Sequence, residues 1–230
     1  MGKRQETRDR IETQIIELGR RHLVTEGAVG LSLRAIARDL GMVSSAVYRY
    51  VSSRDDLLTL LLVDAYSELA DVVDRAGAAD GSWRDQLLAM AHAARAWAID
   101  QPARWALLYG SPVPGYQAPR ERTVGPGTRV VGALFGAIGA GIATGDIPQS
   151  NVAAAQPLSS DFDLLREEFE FTGDDSAVAK CFLLWAGLVG AISLEVFGQY
   201  GADTLTEPGA VFDTQVRLLI GVLDARTILD

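Results

Sequence analysis

The amino-acid sequence predicts an all-α fold, and three observations carry that prediction. Leu33, Ile36, Ala37 and Leu40 recur at i, i+3, i+4 and i+7, the spacing of one apolar helix face. Ile11, Ile15 and Leu18 form a second such row upstream. Serines stand where helices would begin, at Ser32, at Ser52 and Ser53, and at Ser82, each able to accept a hydrogen bond from the free N–H groups of a first turn.

In chain order, residues 7–26 read as a long first helix with Ile11, Ile15, Leu18 and Leu23 inward and Arg8, Glu12, Arg20 and Arg21 outward. Gly27 and Gly30 end it. Ser32 then caps a short helix that stops at Gly41, where a left-handed conformation is cheap only without a Cβ. Another short helix starts near Ser44, with Val47 and Val51 inward and Ser44, Ser45, Tyr48 and Arg49 outward. Ala37 and Gly41 leave little bulk at the corner, so the two short helices meet steeply, as in a helix-turn-helix. The same spacing also fits an ordinary pair of core helices.

Ser52 or Ser53 caps a long helix through about Ala76, with Asp55 and Asp56 in the first turn, where the helix dipole favours them. Ser82 caps a further helix to about Asp100, and Pro102 suits the first turn of the next. Gly110 to Thr128 holds four of the eight prolines and reads as a long extended loop. Val130 to Gly145, an uncharged run of 16 residues with five glycines, reads as a glycine-rich helix. It is short for a bilayer, and no membrane association is expected. Asp146 to Asp161 reads as loop. Ser176 to about Tyr200 and Pro208 to about Leu223 are apolar helices, the first hydrophobic nearly all round and so in need of neighbours on several sides.

Charge is unevenly spread. The chain carries −9 overall, but residues 1–54 hold ten Lys/Arg against six Asp/Glu, a net +4, leaving −13 for the rest. A basic head on an acidic body orients the head toward a polyanion. The single cysteine, Cys181, excludes an intramolecular disulfide and fits a reducing cytoplasm. Met1 to Arg10 is charged throughout, so no signal peptide is expected, and Glu6 stands where a myristoylation signal needs Ser or Thr. Two histidines, one cysteine and no Gly-x-Ser-x-Gly leave no constellation for an enzyme, and no metal or other cofactor is expected.

Ser32-Leu-Arg-x-Ile-Ala-x-x-Leu-Gly41, then Ser44-Ser-Ala-Val-Tyr-x-Tyr50, then Ser53-Arg-Asp-Asp-Leu-Leu58 resembles the head of the tetracycline-repressor (TetR) family across residues 7–60. Val43 stands where the family often has Ser, Tyr50-Val51 where it has His-Phe, and Arg54 where it has Lys. The first of these departures moves the expected cap of the second short helix to Ser44. Trp185-x-x-x-Val189-Gly190, with Val at the usual His, resembles a subgroup named for its Trp-His-Gly signature, as does Ser111-Pro-Val-Pro-Gly-Tyr116.

The resemblance implies a cytoplasmic all-α homodimer that binds a palindromic operator and releases it on binding a small molecule. Residues 1–54 would form the DNA-binding head and 55–230 the ligand-binding and dimerisation body. The candidate DNA contacts are Ser32, Arg34, Ser44, Ser45, Ala46, Tyr48, Arg49, Tyr50 and Arg54, the last as a phosphate clamp. Lys3, Arg4 and Arg8 are further phosphate candidates. Aromatic and apolar character nominates Tyr66, Met90, His92, Trp97, Trp105, Tyr109 and Phe135 for a ligand pocket suited to an apolar or aromatic effector. Trp185, Gly187, Leu188, Val189, Ile192, Phe212, Val216 and Leu219 are expected at the dimer interface. A DNA-binding repressor or activator without a ligand is the alternative.

Overall fold

The computed structural model describes residues 3–150, 153–201 and 203–224, with side chains from Gln5 onward. Among these residues there are ten helices and no strand: α1 Lys3–Gly30, α2 Leu33–Asp39, α3 Ser44–Val47, α4 Arg54–Gly77, α5 Trp83–Asp100, α6 Pro102–Tyr109, α7 Arg120–Ala143, α8 Leu158–Phe169, α9 Asp175–Val196 and α10 Pro208–Asp224. The chain forms two compact units, Met1–Glu68 with Gln101–Gly127, and Leu69–Asp100 with Thr128–Asp230. That division falls inside α4 and α7 rather than at residue 54, and it gives α6 and the loop after it to the first unit.

In the first unit, Ile15, Leu18 and Leu23 of α1 join Leu33, Ile36 and Ala37 of α2, Val47 of α3, Val51, and Leu57, Leu58 and Leu61 of α4 in one core. Ala103, Leu107, Val113 and Tyr116 pack against it. The capping serines act as their positions require. Ser32 Oγ accepts from the Ala35 N–H at 3.4 Å, and Ser53 Oγ from the Asp56 N–H at 3.0 Å. Asp56 answers by accepting from the Ser52 N–H at 3.0 Å. Gly27 breaks α1 at φ 67°, and Gly41 ends the turn after α2 at φ 66°. The cap of α3 is Val43, with no side-chain hydrogen bond; Ser44, expected as the cap, is the first helical residue.

In the second unit, α9 packs on α5, α8 and α10, and α10 also packs on α5. Ser82 caps α5 reciprocally with Asp85, and Asp174 caps α9 by accepting from the Ala177 N–H at 2.8 Å. α7 and α9 have the length and apolarity to cross a bilayer. Yet α9 buries Val178, Cys181, Leu184, Leu188 and Ile192 within the protein, as a central core helix does.

Two sequence expectations are corrected. The extended loop expected over 110–128 ends at Pro119, because α7 begins at Arg120 and runs through Pro126. Pro126 is the seventh residue of the helix, past the first turn, so it forgoes the bond an N–H there would make to the Arg122 carbonyl. Upstream of it the helix start is closed by the Pro119 carbonyl, which accepts from the Arg122 and Thr123 N–H groups. The loop expected over 146–161 likewise ends early, with α8 starting at Leu158. Its single buried residue, Phe162, gives too faint an apolar row to read as a helix. The glycine-rich segment is helical as expected, and its missing side chains admit close neighbours. A Cβ on Gly141 would lie 2.6 Å from Ile147 Cδ1 and 2.9 Å from Trp83 Cδ2.

Candidate nucleic-acid interface

The recognition surface is built by α2 and α3. Leu33, Ile36 and Ala37 anchor α2 from below, and Val47 and Val51, both fully buried, anchor α3 and the turn after it. With those residues inward, Ser44, Ser45, Tyr48 and Arg49 are exposed. Tyr48 keeps 46% of its surface accessible and Val43, just before α3, keeps 71%. One regular turn of α3 is enough because the chain closes further hydrogen bonds beyond it, from the Tyr50 and Val51 N–H groups to the Val47 carbonyl.

The other candidates surround this surface in different ways. Arg34 is exposed on α2, Ser32 is its half-buried cap, and Ala46 is half-buried. Tyr50 is half-buried, with the Arg8 guanidinium 5.8 Å from its ring centroid. Lys3 and Arg4 lie outside the residues whose side chains are described. Arg54, expected as a phosphate clamp, turns to the protein: its Nη2 donates to the Ala28 carbonyl at 2.9 Å and the Val29 carbonyl at 3.1 Å. At the end of α2, the His22 ring bonds to Asp39 at 2.7 Å. That bond is the main reason the Asp39 carboxyl lies below its ordinary value, with Arg38 adding to it and partial burial opposing it.

The ligand candidates divide between the units. In the first, Tyr109 lies 4.4 Å from Trp105 and 6.5 Å from Tyr66 by ring centroids, and burial raises both phenol pKa values. In the second, Phe135 packs with Phe169 and Phe171, whereas His92 bonds to Asp213 at 3.0 Å and meets Phe212 edge-on. Met90 and Trp97 are buried on α5, and Met90 fills the space where a Gly77 Cβ would stand.

Of the residues expected at the interface, four lie inside the chain, while Gly187 and Leu219 border an open groove. Leu188, Ile192, Phe212 and Val216 are buried within a single chain, at 6% accessible or less. Phe212 faces α5, beneath His92 and Arg95, and Leu219 packs over Gly187. Trp185 and Val189 are half-buried. Instead Leu183, Ala186, Gly190, Leu194 and Phe197 line the exposed face of α9, and Leu218 and Val222 that of α10. A groove between the helices is lined by Ala186, Gly187, Gly190, Ala191, Leu194, Gln215, Leu218 and Leu219. Periodicity could not separate these faces, because α9 is apolar on both.

Sequence reading also missed an ion network in the first unit. Arg104 of α6 reaches Asp64 at 3.0 Å and Glu68 at 2.8 Å, both on α4, and Arg20 of α1 pairs with Asp64 at 2.6 Å and Glu68 at 3.2 Å. The one available signal was the i, i+4 spacing of the two acids. Among the described residues no cluster of His, Cys, Asp and Glu has the makings of a metal site.

Comparison with known proteins agrees with this geometry. A family model described as "Tetracyclin repressor-like, C-terminal domain" matches residues 87–219. A relative in Mycobacterium tuberculosis, the HTH-type transcriptional regulator Rv1816, is 69% identical over 225 residues, covering 97% of this chain and 96% of its own. Among solved structures, the putative regulatory protein SCO4313 superposes with a TM-score of 0.78 at 31% identity, over 96% of this chain and 100% of that one. FadR from Bacillus subtilis, solved with stearoyl-CoA, shares the fold at a TM-score of 0.64 and 12% identity, over 89% and 97% of the two chains.

Proposed function

The chain belongs to the TetR family of transcriptional regulators, and from that premise we propose that it is a cytoplasmic repressor that grips a palindromic operator as a homodimer and lets go when a small apolar or aromatic effector binds. The observation that carries the DNA-reading part is the division of α3: Val47 and Val51 are fully buried while Ser44, Ser45, Tyr48 and Arg49 are exposed. Tyr48 is a donor for a phosphate or a base edge, and Arg49 for a phosphate or a guanine. Arg34 and Ser32 at the start of α2 would hold the backbone, as positioning contacts do.

A two-fold operator requires two heads, and the exposed apolar faces of α9 and α10 supply a surface for pairing. Leu183, Ala186, Gly190 and Leu194, with Leu218 and Val222, would form an isologous four-helix contact with a second copy. Effector release rests on the aromatic cluster of Tyr66, Trp105 and Tyr109, which joins α4 to α6 within the unit that holds the head. An effector that favours a different arrangement of these helices lowers operator affinity, and the operator lowers effector affinity by the same factor.

The test is fluorescence anisotropy with the protein's own promoter DNA over a range of salt. Phosphate contacts release counterions, so affinity must fall steeply as salt rises; a flat profile would sink the DNA-reading model. Adding an effector library to the complex separates ligand release from a ligand-independent repressor or activator, whose anisotropy stays constant throughout.

A further inference from the structure

The geometry points to Arg54 as a positioning residue that fastens the end of α1 to the start of α4, and so sets the pose of the helix-turn-helix, rather than as a contact to DNA. The inference rests on the DNA-reading assignment above and refines the role of one residue within it.

The need for such a fastener arises in the sequence. Gly27 breaks the helical path of α1 at φ 67° and ψ 173°, so the backbone of Ala28 and Val29 leaves the helix axis. Carbonyls at the end of a helix have no intrahelical donor and must find one elsewhere. Arg54, the first residue of α4, supplies it, with Nη2 donating to the Ala28 carbonyl at 2.9 Å and to the Val29 carbonyl at 3.1 Å. That nitrogen has two hydrogens, and the two carbonyls engage both. The neighbouring Nη1 lies 3.7 Å from Asp55 Oδ1 on its own helix. Only 33% of the side chain is accessible.

The consequence reaches the recognition helix through a short run of chain. Val29 is three residues before Ser32, the cap of α2, and α3 is packed on α2. At the other end, the first turn of α4 is itself held: Ser53 caps Asp56, and Asp56 pairs with Arg122 at 2.6 Å. The lead-in to the helix-turn-helix is therefore tied to a fixed point. Both hydrogens of Nη2 are held by carbonyls and Nη1 lies toward Asp55, so swinging the guanidinium out to a phosphate would leave the Ala28 and Val29 carbonyls without this donor, beside the exposed Val29. Arginine's planar fork presents hydrogens at fixed angles and can hold two carbonyls at once, whereas a lysine ammonium could still supply charge to a phosphate but not reproduce that geometry, which is what makes Arg54→Lys a discriminating variant.

The two roles separate experimentally. The full-length protein, wild type and with Arg54→Ala or Arg54→Lys, is titrated with operator DNA at several salt concentrations. Hydrogen exchange is followed in the same proteins without DNA. Positioning predicts an affinity loss of about tenfold for R54A, a salt slope equal to that of the wild type, little rescue by R54K, and faster exchange over residues 28–33 in the free protein. A slope smaller by about one unit for each Arg54 removed, full rescue by R54K, or unchanged exchange over 28–33 would each overturn the inference. Thermal melting confirms that each variant is folded; if R54A melts below the assay temperature, R54K and its exchange profile decide. Absence of salt-steep DNA binding by the wild type would instead reject the DNA-reading assignment, while the exchange arm still reports on the fastening.

Discussion

Arg104 of α6 and Asp64 of α4 meet at 3.0 Å, with 4% of the arginine side chain and 18% of the aspartate accessible. Arg20 shares the same carboxylate from α1, which raises its own pKa through the Asp64 hydrogen bond despite partial burial. Three helices of the first unit are thereby joined at one carboxylate. Removing one partner of a buried pair leaves the other charge poorly compensated. Asp64→Ala should cost about 3 kcal/mol by urea unfolding, since Glu68 still faces Arg104. Arg20→Ala, with the arginine 39% exposed, should cost about 1 kcal/mol or less.

Replacing the exposed face of α3 should separate binding from folding. Tyr48→Ala and Arg49→Ala remove side chains on the exposed face, outside the buried core, so their unfolding free energies should stay within about 0.5 kcal/mol of wild type. Operator affinity, read by anisotropy, should drop for both. Arg49→Ala should also lessen the salt slope if it holds a phosphate, or relax preference at one guanine if it reads a base. Wild-type affinity in both variants would remove α3 from the interface.

The two apolar faces of α9 and α10 predict opposite phenotypes. Leu218→Glu changes a side chain that is 67% exposed, so the monomer should stay folded while light scattering shows loss of the dimer and operator binding weakens. Phe212→Ala empties a site that is 2% exposed and should cost about 3–5 kcal/mol of unfolding free energy. A Leu218→Glu protein that remains dimeric would move the pairing surface elsewhere.

Acid should act through Asp175, whose side chain is 4% accessible. Burial alone would raise this carboxyl, but the Ala154 N–H at 2.7 Å, Ser159 and the Arg166 guanidinium at 2.9 Å together outweigh it and hold the pKa below the ordinary 3.8. A depressed folded pKa adds stability that is present above the unfolded value and lost as pH falls through the folded one. Wild-type stability should therefore decline as pH drops below about 4. Asp175→Asn should be less stable at neutral pH and show a shallower acid limb in urea titrations from about pH 7 to 3. Parallel acid limbs would assign the acid sensitivity to other carboxylates.

Two glycines should fail for different reasons. Gly41 has φ 66° and open space where a Cβ would go, so Gly41→Ala should cost about 1–2 kcal/mol from backbone strain alone. Gly141 has no such backbone but sits under Ile147 and Trp83, so Gly141→Ala should cost about 1–3 kcal/mol through overpacking. Thermal melts of the pair check both values.

Many helix boundaries were legible from the sequence because their signals are local. Ser32, Gly41, Ser53, Ser82 and Pro102 act on backbone groups within a few residues of themselves, and the alternation of buried Val47 and Val51 with exposed Tyr48 and Arg49 follows from helix geometry alone. The start of α7 was less legible because Pro112, Pro114, Pro119 and Pro126 look alike in sequence, and a proline past the first turn, as Pro126 is, argues locally against the helix that contains it. The same holds for α8, whose weak apolar row depends on Phe162.

The sequence by itself determined an all-α chain, its first capped helices and an outward Tyr48-Arg49 pair, since each is set by neighbours three or four residues away. Tertiary structure alone decided which apolar face of α9 is core and which is left open, that Asp64 collects two arginines from different helices, and that Arg54 spends its hydrogens on Ala28 and Val29. These are long-range choices. An apolar face or a charged fork has several acceptable partners, and only the packing of distant segments selects among them.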